Sequence, residues 1–288
     1  MSAVKLKNTV LGKGIPKICV PITDKDIAGI EHSLKAMRDA EFDVIEWRAD
    51  KFDALTALCG KLGSVNYSET VRESDKKAQT LESADMSVND IPESFKSELK
   101  EASELIRNVF PDKTVIFTIR TSRDMEDFDI SDGAYSLINC LAADMQLADI
   151  IDIEFSRGDE LVKELNTYIH ALGLKTIVSK HIRDYTPETS EIVDTLCKMQ
   201  QTGADIVKFA AMPECERDVL KLMDATLIMK EQHDDTPVIS MSMSSLGALS
   251  RISGALTGSC LSFGTVGAAS APGQLECGRL HDILCALQ

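Results

Sequence analysis

The chain has 288 residues, 46 of them acidic against 31 Lys and Arg, and a formal net charge of -15; an excess of this size opposes binding to a polyanion, so no nucleic-acid partner is expected. A hydrophobic fraction of 44% beside 27% charged residues fits a folded globular chain and excludes general disorder. No apolar run reaches the ~18–20 residues of a membrane span, and the opening MSAVKLKNTVLGKG lacks a signal-peptide core, so a cytoplasmic location without a membrane partner is expected.

In chain order, the first β-branched run is 17–22 (KICVPI), followed by a helical pattern over 27–37. The second, 43–48 (DVIEWR), leads into residues 61–93, where Ser, Glu, Asp and Lys dominate, before helical spacing resumes at Phe95, Leu99, Leu105 and Ile106. That composition predicts an acidic surface insertion after the second strand. Further runs follow at 114–120 (TVIFTIR), 149–155 (DIIDIEF), 175–181 (KTIVSKH), 205–210 (DIVKFA), 237–243 (PVISMSM) and 260–266 (CLSFGTV). Helical patterns over 135–147, 161–172, 188–199, 219–229 and 275–287 lie among them, the 188–199 helix with Thr186 as its expected N-cap and Pro187 at its first position.

Apart from the interval holding the insertion, the starts of successive runs lie 23 to 35 residues apart, the length of one βα unit, and nearly continuous apolar runs belong to parallel strands buried on both faces. Eight such units predict a single-domain α/β chain, a (β/α)8 TIM barrel. An open doubly wound sheet is the alternative, without a G-x-G-x-x-G after the first strand to support its dinucleotide-binding form. Eight cysteines without any C-x-x-C pair predict buried thiols, and neither a disulfide framework nor a zinc site. The five histidines are dispersed as well, and no metal is expected.

A barrel of this kind builds its site at the carboxyl ends of its strands. Glu46 and Arg48 close the second run, Arg120 the third, Glu154 the fourth and His181 the fifth, while Lys208 interrupts the sixth. Charged groups inside β-branched runs are costly to bury unless paired or used. An ammonium at Lys208, among Ile206, Val207 and Phe209 and near other cations, is pushed toward the neutral amine, a nucleophile for ketones that forms Schiff bases. His181 can move protons near neutral pH. Arg48, Arg120 and Arg251 would make the pocket cationic, which suits a small oxo-acid.

The motifs EWRAD (46–50), FTIRT (117–121), DIE (152–154), VSKH (178–181), ADIVKFAAMP (204–213), SMSSLGALSR (242–251) and SAPGQ (270–274) together resemble type I 3-dehydroquinate dehydratase, from Pro16 to Leu287 except the insertion. The resemblance implies a barrel, commonly a homodimer, that converts 3-dehydroquinate to 3-dehydroshikimate with no metal or organic cofactor. It implies Lys208 as the imine-forming residue and His181 as general base and acid. Arg251 would hold the substrate carboxylate, Glu46, Arg48 and Arg120 the ring and its hydroxyls, and Ser270 and Gln274 would sit on a closing loop. Where the family usually has a Glu to pair with the histidine, this chain has Asp124, with Glu126 two places on; Lys180, Ile182 and Ser244 also depart from the usual pattern. Two further readings use the same barrel: a class I aldolase acting through Lys208, and an inactive barrel kept as a binding or regulatory subunit.

Overall fold

A computed structural model describes residues 2–62, 88–267 and 273–288. It begins with a hairpin that the strand pattern did not predict, β1 (Val4–Leu6) and β2 (Thr9–Leu11), paired antiparallel. Eight parallel strands follow in chain order: β3 (Lys17–Ile22), β4 (Val44–Arg48), β5 (Thr114–Thr118), β6 (Ile150–Glu154), β7 (Lys175–Ile182), β8 (Ile206–Ala211), β9 (Val238–Ser242) and β10 (Leu261–Thr265). A two-residue strand, β11 (Leu275–Glu276), pairs with β10. The ring closes because β10 also pairs with β3, while β9 and β10 meet through one bridge, Val238 to Ser259, reinforced by the Cys260 amide donating to the Val238 carbonyl at 2.8 Å. The expected barrel is therefore observed.

The helices are α1 (Ile27–Ala36), α2 (Asp53–Leu62), α3 (Glu93–Val109), α4 (Asp132–Asp144), α5 (Asp159–Ala171), α6 (Thr189–Gln201), α7 (Glu216–Gln232), the short α8 (Ala248–Ile252) and α9 (Gly254–Thr257), and α10 (Cys277–Ala286). None among the described residues is long and apolar enough to cross a membrane. The strand alternation splits the core in two. Outward residues such as Ile45, Trp47, Val115, Phe117, Ile151, Val178 and Phe209 pack with the helices, and Trp47 meets Phe52 and Phe117 edge to face, with centroids 5.8 and 5.5 Å apart. Inward residues Cys19, Val44, Ile116, Ile150, Ile177, Ile206, Ile239 and Leu261 fill the lower barrel, where Leu11 of the hairpin, 0% exposed, plugs the floor.

A repeated local device sets the register at that end. Asp43, Asp149 and Asp205 each stand just before a strand, and each carboxylate accepts the first free amide of the preceding strand: Ile18 at 2.9 Å, Val115 at 2.8 Å and Thr176 at 2.9 Å. A backbone donor that the ladder leaves open is thereby satisfied.

Four expectations need correction. Strand β5 ends at Thr118, so Arg120 lies in the loop beyond the expected run. Helix α6 begins at Thr189 with Glu188 as its cap, its amide donating to Glu191 at 3.3 Å; Thr186 instead donates its hydroxyl to the Met212 carbonyl at 2.8 Å, which ties the loop to the end of β8. The insertion expected over 61–93 loses both ends to the barrel: Lys61 and Leu62 finish α2, and Leu62 and Ile91 are core residues. Its central part, 63–87, lies outside the described residues. Of the eight cysteines, five are buried, whereas Cys215 and Cys285 are exposed.

Candidate active site

The two-residue period along each strand lifts the inward residues from an apolar floor to a charged upper half. Val44 is succeeded by Glu46 and Arg48, Ile116 by Thr118 and then Arg120, Ile150 by Asp152 and Glu154, Ile177 by Ser179 and His181, and Ile206 by Lys208. Pairing sets Ser179 beside Lys208 and Thr118 beside Asp152.

Lys208 is at the centre, 4% exposed. Its Nζ donates to Glu46 Oε1 at 3.0 Å and to Asp152 Oδ2 at 3.3 Å, and lies 4.8 Å from the centroid of the Phe263 ring. In place of the cations and apolar groups expected around this ammonium, two carboxylates and an aromatic face are its nearest company. Burial pushes Glu46 up, but Lys208 and Arg48 more than offset it and hold the carboxyl below its ordinary range. Asp152, fully buried, is likewise held low against its burial by Arg120 and Lys208.

Arg120 is occupied by the protein itself. It donates to Ser179 Oγ at 2.9 Å and to Asp152 Oδ2 at 2.9 Å, and faces Asp124 at 3.5 Å and Glu154 at 3.6 Å. Glu154 is raised by burial despite Arg120, and its two oxygens bind the amide and hydroxyl of Thr121 at 2.7 and 2.5 Å. This anchors the turn after β5, in which the amides of Asp124, Met125 and Glu126 all donate to the Thr121 carbonyl.

That turn delivers Asp124 to His181. Asp124 Oδ2 is 3.1 Å from His181 Nδ1 and also accepts the His181 backbone amide at 3.1 Å, a direct contact without a bridging water. Burial, then the nearby Arg120 charge, push His181 down to about 4 against the opposing pull of Asp124. Burial raises Asp124, but His181 and Arg120 hold it below its usual range. Glu126 is directed elsewhere, to Arg48 at 2.8 Å and Lys51 at 2.6 Å. Arg48 also makes a two-pronged pair with Asp50, both contacts 2.8 Å.

Arg251, on α8, is 5% exposed, and its Nε has no hydrogen-bond partner. No carboxylate among the described residues pairs with it, and burial lowers its pKa. A buried, unanswered guanidinium is costly, and an anionic ligand is what would offset that cost. The turn before α8 is tight: Ser244 has φ 58°, and a Cβ on Gly247 would lie 2.1 Å from the Ser242 carbonyl oxygen. Gly273 approaches the same turn, since its Cβ would meet the Ser244 carbonyl oxygen at 2.2 Å, which sets half-buried Gln274 beside it. Ser270 lies outside the described residues.

Asp152 and Ser179 were missed as site residues. Their signal was a polar residue at an inward position of an otherwise apolar run, two places before Glu154 and His181 respectively.

The sequence model of the type I 3-dehydroquinase family matches residues 18–288. A 3-dehydroquinate dehydratase from Escherichia coli strain SE11 is 37% identical over 287 residues, covering 100% of this chain and 99% of that protein. Among solved structures, the type I 3-dehydroquinate dehydratase of Clostridium difficile, with covalently modified comenic acid, superposes with a TM-score of 0.82 at 35% identity over 99% of this chain and 98% of its own. The Enterococcus faecalis 3-dehydroquinate dehydratase gives 0.79 at 26% identity over 99% of each chain. A barrel with a central lysine, a carboxylate-backed histidine and matches of this length and level leads to one assignment: the chain belongs to the type I 3-dehydroquinase family.

Proposed function

We propose that this chain, working as one catalytic domain, removes water from 3-dehydroquinate to give 3-dehydroshikimate through an imine on Lys208. The observation that carries the reading is Lys208 Nζ held between Glu46 and Asp152 in the barrel whose mouth holds His181 and Asp124. The neutral amine attacks the C3 ketone, and loss of water leaves a protonated imine. Glu46 and Asp152, already 3.0 and 3.3 Å from the nitrogen, favour that cation. His181 then takes a C2 proton, and the electron pair moves toward the iminium nitrogen to form an enamine. Its collapse expels the C1 hydroxyl, which leaves as water with the proton returned by His181. Hydrolysis of the imine releases product and frees Lys208.

Asp124 keeps the proton of neutral His181 on Nδ1, leaving Nε2 as the base. Arg251, with no carboxylate among the described residues to answer it, takes the substrate carboxylate. Arg48 stands at the rim, its side chain 17% exposed. Arg120 acts through the carboxylates it holds. Ser270 and Gln274 would shield the bound substrate from water. The side chains carry the chemistry without a cofactor.

The expected homodimer and cytoplasmic location are part of this proposal. The test is the rise of enone absorbance on adding 3-dehydroquinate: the wild-type chain should turn over, and Lys208→Ala should bind substrate without turnover. Undiminished turnover in that variant would overturn the imine mechanism.

A further inference from the structure

Asp124 is buried, and its two oxygens face different groups. Oδ2 serves His181, while Oδ1 accepts the hydroxyl of Ser156 and faces Lys180 Nζ at 3.6 Å. Arg120 stands 3.5 Å from Oδ2 and competes with the imidazole for it. An aspartate is one methylene shorter than the glutamate usual in this family, so its carboxylate reaches the histidine only in a narrow range of orientations. Something must hold the other oxygen.

Ser156 is suited to do so because its backbone is fixed. It lies in the 3-10 turn Phe155–Arg157 after β6, and Arg157 binds the Ile130 carbonyl at 3.0 Å, Thr121 Oγ1 at 2.7 Å and Asp132 at 2.9 Å. The same Thr121 anchors the turn that carries Asp124. The donor and acceptor of the Ser156–Asp124 bond thus rest on one buried framework. Lys180 reaches Asp124 from β7, next to the histidine itself.

We propose that Ser156 and Lys180 are positioning residues: by holding Oδ1 of Asp124 they turn Oδ2 onto His181 Nδ1 and keep the imidazole in the tautomer with Nε2 free. The inference rests on the proposed role of His181 as the base. A carboxylate on Nδ1 selects the Nδ1–H tautomer, and without it the neutral ring distributes its proton between both nitrogens. Lys180 departs from the family's usual aromatic or Asn, and Asp124 from its usual Glu; the pair acts as one compensated change.

The experiment is 15N NMR of histidine-labelled protein at pH 7 without substrate, together with steady-state kinetics on 3-dehydroquinate. Wild type should show His181 protonated on Nδ1. In Ser156→Ala/Lys180→Met both tautomers should appear, and kcat should fall roughly tenfold or more with KM within about twofold, a part of what general acid–base catalysis contributes. Ser156→Thr/Lys180→Arg, which keeps the hydroxyl and the cation, should restore the single tautomer and most of kcat. An unchanged tautomer in Ser156→Ala/Lys180→Met, whatever its kcat, would overturn the proposal. If that variant does not fold, Ser156→Ala alone decides by the same readout. A wild-type chain inactive on 3-dehydroquinate would overturn the proposed function, while the tautomer measurement, which needs no substrate, still decides the positioning.

Discussion

Lys208 and Arg251 are buried and the His181 side chain is only 11% exposed, yet of the three only Lys208 and His181 have carboxylate partners among the described residues. For Arg251 the consequence is a separation of stability from binding. Replacing a buried charge that lacks a partner with an apolar side chain is commonly neutral or stabilising, whereas removing a charge that a ligand uses weakens binding. Arg251→Met should therefore leave Tm unchanged or raise it, while KM for 3-dehydroquinate rises by roughly 30-fold or more, the ~2 kcal/mol or more of a lost buried charge pair. Thermal melts and steady-state kinetics on one preparation check both halves.

For His181 the consequence is a pH profile. The base must be neutral, and its pKa in the folded chain is about 4, so the acidic limb of kcat/KM should lie well below the ~6.5 of a free imidazole. The shortness of Asp124 is not the cause, since the contact is direct; burial and Arg120 are. Asp124→Asn removes the anion that pulls His181 upward, so the limb should move lower still and kcat should drop. Glu126→Gln should leave the limb in place, because Glu126 binds Arg48 and Lys51. Between pH ~6.5 and about 4 the unfolded chain binds the extra proton. The His181 contribution to stability is thus complete above that window and lost as pH falls through it, which urea unfolding at several pH values would show.

Among the elements, the strands were legible because eight apolar runs recur 23 to 35 residues apart in all but one interval, and the inward period carried Lys208, His181, Glu46 and Glu154 with them. The hairpin was not, because strands of three residues are too short to show a period. Nor was the seam between β9 and β10, where Ser259 and Ser240 replace most of a ladder: the Ser240 amide donates to Ser259 Oγ at 3.0 Å. The hairpin's part in the barrel rests on Leu11, packed beneath Val44, Ile116 and Ile177. Leu11→Ala should cost about 2–5 kcal/mol, as for a buried leucine that leaves a cavity. A loss under about 0.5 kcal/mol in denaturant unfolding, the range of surface substitutions, would mean that the hairpin is an accessory to the fold.

At the scale of the whole molecule, a net charge of -15 surrounds a barrel interior where cations and carboxylates alternate: Lys208 with Glu46 and Asp152, Arg120 with Asp152, Glu154 and Asp124. Which of these cations faces a substrate could not be read from the chain, since Arg48, Arg120 and Arg251 differ only in the partners that folding brings to them. Lys208, between Glu46 and Asp152, is the amine at the centre of that network. Borohydride added during turnover of 3-dehydroquinate should inactivate the protein and add the mass of the reduced product adduct to the peptide carrying Lys208, as read by peptide mass spectrometry. An adduct on any other lysine, or full activity after borohydride and substrate together, would contradict the account.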